Sequence, residues 1–166
     1  MAGIAHIGIG LAAKKAAPKV HVGFLCLASE AIDILWAVLA LVGVESFDSS
    51  PWSHGLLMAV IWSVTGGLLG WYFYRDSRSG GVIGLVIFSH WVLDFITHPM
   101  FGGLPDLALL LEGSPKVGLG LYSAIPMGLW VVIELGLVAV GLWASVILRA
   151  KPAWRKPGRL EVKHTK

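Results

Sequence analysis

Glu30, Asp33, Asp94 and Glu134 stand inside long apolar runs that contain no Lys or Arg. A carboxylate at the middle of a membrane costs roughly 2.5–3.5 kcal/mol on insertion scales, so without a basic partner it must be protonated or must hold a cation. Histidines join these acids at helical spacing. The segment Ser89-His90-Trp91-Val92-Leu93-Asp94-Phe95-Ile96-Thr97-His98 places His90, Asp94 and His98 at i, i+4 and i+8, successive turns of one helix face. Glu30 and Asp33 share a face at i, i+3, one turn beyond Cys26, and His54 opens another apolar run.

Imidazole with carboxylate suits a borderline divalent ion, zinc first, with manganese, iron, cobalt or nickel as further candidates. The expected ligands are His90, Asp94, His98, His54 and Asp33. Carboxylates in excess of histidines leave Glu30 or Glu134 to accept a proton from a coordinated water, or to orient a ligand histidine. Cys26 reads as a small apolar packer, and the single cysteine argues against a disulfide framework.

The elements that must position these groups follow from composition. Of 166 residues, 56% are hydrophobic and only 14% charged, and the mean hydropathy is +0.76. A soluble domain carries roughly a quarter charged residues, so a water-facing globule is excluded. Four apolar stretches, 22–44, 54–74, 81–98 and 123–148, are long enough for a hydrocarbon core about 30 Å thick. A fifth, 2–13, is too short to span and reads as a re-entrant or interfacial helix. The fold class is therefore all-α: a polytopic membrane bundle of four transmembrane helices plus that short helix, with residues 1–150 as one domain and 151–166 as a basic tail.

The formal net charge of +3 resides in loops and tail, which is a membrane pattern and not a nucleic-acid one. Lys14, Lys15 and Lys19, then Arg75 and Arg78, then the tail bases all fall on one side of a four-span topology, so both termini are expected in the cytoplasm. On this topology every polar outlier lies between the midplane and the outer surface. His6 and His21 fall on the cytoplasmic side, although His6 enters the site if the 2–13 segment dips into the bilayer. Gly66/Gly70 and Gly80/Gly84 have the spacing that lets membrane helices approach closely, which is compatible with tight packing or a homo-oligomer. The loop 99–122 is too apolar for a free linker and is expected to cap the outer mouth.

The segment from Ser89 to Pro99 resembles the His-x-x-x-Asp signature of a family of small bacterial inner-membrane proteins classed as metal-dependent hydrolases. That family also has a histidine near the amino terminus, an acidic cluster after the first segment and a second His before an apolar run. His6, Glu30 with Asp33, and His54 are similar to those positions. Two elements depart from the pattern: Glu30-Ala31-Ile32-Asp33 stands for an Asp-x-Asp-type element, and Ser53-His54-Gly55 lacks the second histidine of a His-Arg-Gly-x-x-His-Ser-like stretch. The resemblance covers about two-thirds of the chain and implies metal binding more directly than catalysis.

Three functions suit such a cluster. One is a membrane-embedded hydrolase of a lipid or amphipathic ester reached from the outer leaflet. Another is a cation or proton transporter or channel using the same His and carboxylate groups. The third is a haem-binding bundle using His54 with His90 or His98, for which the carboxylates are unnecessary.

Overall fold

A computed structural model describes residues 3–46, 49–98 and 105–147. Its helices are α1 (Ala5–Ala13), α2 (Val22–Ser29), α3 (Ala31–Leu41), α4 (Leu56–Tyr74), α5 (Ser77–Thr97) and α6 (Met127–Ile147). Two short strands, β1 (Leu107–Ala108) and β2 (Lys116–Val117), and a 3-10 turn at Leu121–Ala124 lie between α5 and α6. The tail 151–166, His164 and the loop positions 99–104 fall outside the described residues.

α4 has 19 residues and α5 and α6 have 21 each. At about 1.5 Å per residue they reach roughly 28–32 Å, the thickness of a hydrocarbon core. Large apolar side chains stand exposed along α4 and α6, among them Val64, Leu68, Phe73, Val132 and Leu142. Such faces suit lipid and not water.

The expected span 22–44 is instead two helices, α2 and α3, bent by 54° at Glu30. Among the described residues three helices are thus long and apolar enough to cross a membrane, or four where the bent pair counts as one. Glu30 leaves the helical region at φ −97°, ψ 3°. The Ser29 hydroxyl bonds back to the Cys26 carbonyl at 2.7 Å, and the Ser29 carbonyl accepts from a side chain of α5. Competition of this kind weakens the backbone ladder and bends a helix.

α4 and α5 form an antiparallel pair joined by Arg75 and Asp76. Arg75 ends α4 in the left-handed region at φ 50°, and Asp76 caps α5 by accepting from the Ser79 amide at 2.9 Å. A Cβ at Gly80 would press on the Gly67 carbonyl and Trp71, and one at Gly84 on the Ser63 carbonyl, so only glycine permits this approach. Gly70, Gly80 and Gly84 therefore serve packing within the chain.

α1 lies inside the bundle against α6, α2 and α5. Gly8 meets the Leu137 backbone, Gly141 meets the Gly8 backbone, and Gly10 meets the backbone of Leu25 and Cys26. Ala5, His6, Gly8 and Gly10 are buried as a result.

The loop after α5 docks on the ends of the α4–α5 pair. β1 and β2 pair antiparallel, Leu107 opposite Val117, and the Leu57 amide donates to the Leu109 carbonyl at 3.1 Å. Ser49 and Gly113 line one small cleft at this end. At the other end of α4, Lys19 pairs with Asp76 at 3.0 Å. The Ser79 hydroxyl, with Lys19 beside it, holds the Asp76 carboxyl down to about 2. Cysteines placed at Ser49 and Gly113 are accordingly expected to react with an impermeant thiol reagent from one side of the membrane, and one at Arg78 from the other. Labelling of all three from the same side would contradict a bundle that crosses the bilayer along α4.

Candidate metal centre

His90 and Asp94 come from adjacent turns of α5 and are almost fully buried. Asp33 reaches the same point from the first turn of α3, His54 from the turn before α4, and His6 from α1. The bend at Glu30 aims Asp33 inward, and α1 brings His6 between α5 and α6.

The ligand atoms converge. His54 Nε2 lies 3.1 Å from Asp33 Oδ1 and 3.5 Å from Asp94 Oδ2. His90 Nε2 lies 3.4 Å from each of the same two oxygens. A tetrahedral ion with ligands at about 2.0–2.1 Å separates its ligand atoms by about 3.3–3.4 Å. Four edges of such a shell are therefore present to within a few tenths of an ångström. His6 Nε2 stands 3.5 Å from Asp94 Oδ1, on the other oxygen.

The hydrogen bonds fix the ring orientations. His90 Nδ1 is 2.7 Å from the Ser29 carbonyl, which only accepts, so Nδ1 carries the proton. The Ser53 hydroxyl donates to Glu45 Oε2 at 2.7 Å and so accepts from His54 Nδ1 at 2.8 Å. Glu45 is itself held by the amides of Trp52, at 2.7 Å, and Ser53, at 2.9 Å. Both imidazoles thus turn Nε2 toward two carboxylates. Outer partners of this kind orient histidine ligands in metal sites.

An imidazole nitrogen and carboxylate oxygens this close need a proton or a metal ion between them. The need extends further, because His6 Nδ1 and Nε2, His90 Nε2, Asp94 Oδ1 and Glu30 Oε1 are buried without a hydrogen-bond partner. Buried polar atoms are nearly always satisfied, and an ion is one of the recognised reasons for an exception. Among the described residues two groups bring ligand atoms within reach of one another, Asp33, His54 and His90, and His6, His90 and Asp94. The residues present fit a divalent ion with mixed nitrogen and oxygen ligands. The side opens at Asp33, whose side chain is 39% exposed.

The other expected site residues sit elsewhere or at the margin. His98 leaves the helix at φ −51°, ψ 128°, because the residue before Pro99 is driven out of the helical region. Its Nδ1 pairs with Asp106 Oδ2 at 2.9 Å, a contact that raises the pKa of the His98 ring, and it belongs to neither metal group. Glu30 lies at the bend, within electrostatic reach of His6, His90, Asp33 and Asp94.

Glu134 faces the start of α1 and belongs to neither group. Its carboxylate accepts from the amides of Gly3 and Ala5, at 3.1 and 3.2 Å, and from the Tyr122 hydroxyl at 3.2 Å. Burial, with Glu134 beside it, pushes the Tyr122 hydroxyl up to about 12, so it stays a donor. These are the orphan amides of a helix start, satisfied by a negative group. Glu134→Ala leaves them buried and unpaired and should destabilise the fold by about 1–3 kcal/mol, whereas Glu134→Gln keeps an acceptor and should cost less. Equal loss in the two variants by thermal unfolding would refute this role.

Sequence reasoning leaves His6 undecided. The signal for His6 was its place in an apolar segment too short to span. Glu45 and Ser53 had no local signal. No protein-family model, curated protein or solved structure matches the chain.

Proposed function

We propose that this chain is a membrane-embedded metal protein that hydrolyses an ester of a lipid or amphipathic substrate. The reading rests on one observation above the others: His54 and His90 turn Nε2 toward Asp33 and Asp94 at 3.1–3.5 Å, close to the ligand spacing of a tetrahedral shell. Zinc is the first candidate, then manganese, iron, cobalt or nickel.

A divalent ion held there supplies Lewis acidity and lowers the pKa of water. The protein supplies the rest. His90, fixed by the Ser29 carbonyl, and His54, fixed by Ser53 and Glu45, keep their lone pairs on the site. Asp33 stands at the open edge, where a substrate carbonyl or phosphoryl oxygen can approach. Glu30 Oε1, buried and without a hydrogen-bond partner, is the proton acceptor. The docked loop closes the mouth beside the α4–α5 pair, and the exposed apolar faces bring lipid to it. The side is the outer leaflet, with both termini cytoplasmic, following the distribution of Lys and Arg, and a bacterial inner membrane is what the resemblance implies.

The test uses the full chain purified in phospholipid vesicles. Elemental analysis should find a transition metal in stoichiometric amount, and release of fatty acid or headgroup should require it and vanish in Asp94→Asn. Absence of metal after zinc loading would overturn the reading. Zinc entry into sealed vesicles without lipid cleavage would replace it by the transport reading.

A further inference from the structure

Two parallel imidazoles face the centre, and parallel rings cannot share one ion. The rings of His6 and His90 are stacked with centroids 3.7 Å apart and planes 10° from parallel. An imidazole nitrogen binds a metal along its lone pair, in the plane of the ring. An ion in the plane of His90 therefore lies well outside the plane of His6. The two lone pairs point to two places separated by about the stacking distance, and paired catalytic ions stand about 3.5–4 Å apart.

The carboxylate between them is divided in the same way. Asp94 Oδ2 faces His54 and His90, whereas Oδ1 faces His6 Nε2 at 3.5 Å. His6 and Asp94 are each 1% exposed, and both His6 Nε2 and Asp94 Oδ1 lack a hydrogen-bond partner. Glu30 Oε1 is also buried and unpartnered.

Among the described residues Asp33 and Asp94 pair with histidines and with no Lys or Arg. Stacked rings are poor hosts for two further protons, since like charges so close repel strongly in a buried site.

We infer that the centre holds two divalent ions bridged by the Asp94 carboxylate, the first on Asp33, His54, His90 and Asp94 Oδ2, and the second on His6 and Asp94 Oδ1. This inference rests on the metal reading proposed above and adds to it a second site. A bridged pair suits substrates that present two oxygens, such as a phosphate ester, better than a single ion does.

The experiment is metal counting on the full-length protein loaded with zinc or manganese, with electron paramagnetic resonance of the manganese form. Two ions per chain and an exchange-coupled manganese spectrum are expected in the wild type. His6→Ala and His6→Gln should each hold one ion and give an uncoupled spectrum. One ion in both the wild type and the His6 variants would overturn the second site and leave the metal reading standing. One ion in the wild type and none in the variants would show a single centre that includes His6, and would also overturn the pair. Two ions retained without His6 would refute the assigned ligands, and no ion in the wild type would remove both readings. Should the His6 variants fail to fold, the wild-type count and spectrum decide alone.

Discussion

Asp94→Asn should strip metal from the protein and lower its melting temperature, yet leave the metal-free protein as stable as the wild type or more so. Asp94 is 1% exposed, and its two oxygens face His6 on one side and His54 and His90 on the other. Asparagine keeps the volume but removes the charge and turns an amide nitrogen toward an imidazole. Loss of a partner outside the ligand shell costs 10–100-fold in metal affinity, so loss of a central ligand should exceed about 100-fold. A ligand present at about 100 times its dissociation constant stabilises a fold by about 2.7 kcal/mol, and this contribution disappears in the variant. Under chelation the comparison reverses, because the wild type then buries an uncompensated acid that the variant lacks. Thermal unfolding of both proteins with and without chelator checks the reversal. A variant more stable than the wild type even in excess zinc, with unchanged metal content, would dismiss the centre.

Gly8→Val should expel α1 from the bundle and take His6 with it. A Cβ at Gly8 would overlap the Leu137 backbone, and Gly141 on α6 already abuts the Gly8 carbonyl. Backbone cannot yield as a side-chain tip can, so the cost should exceed the roughly 1–3 kcal/mol of ordinary overpacking. The α4–α5 pair does not depend on this contact and should stay folded. Diethyl pyrocarbonate with mass spectrometry reads the result directly: His6 is protected in the wild type and should become reactive in Gly8→Val. Gly136→Ala, where a Cβ meets nothing within 4 Å, is the control and should leave His6 protected. Protection of His6 in Gly8→Val would show that α1 is held by something other than close backbone packing.

These expectations differ in how far the sequence discloses their basis. His90 and Asp94 are legible because a helix face is a local property and a charge in an apolar run without a base is conspicuous. His98 satisfies the same periodicity but precedes Pro99, and the proline signal outweighs the period. The bend at Glu30 has no local proline or glycine to announce it. It arises where the Ser29 carbonyl meets His90, 61 residues further on. Glu134 is legible as a buried acid, but its partners are the amides of Gly3 and Ala5, which only the packing of α1 brings near. Periodicity gives the face of a helix, and it cannot say which helix that face will meet.

The contact between α1 and α6 also sets an order of events in biosynthesis. The Ala5 amide and the Glu134 carboxylate are 129 residues apart, so α1 is steadied by a helix made well after it. At translation rates of about 5–20 residues per second, roughly 6–26 s separate the two. During that interval His6 has no backing and the cluster on α5 lacks one of its histidines. A ribosome that stops before residue 127 yields a chain that can build the α4–α5 pair but cannot seat His6. Seating of His6 therefore waits on synthesis of α6, whereas the group Asp33, His54 and His90 does not.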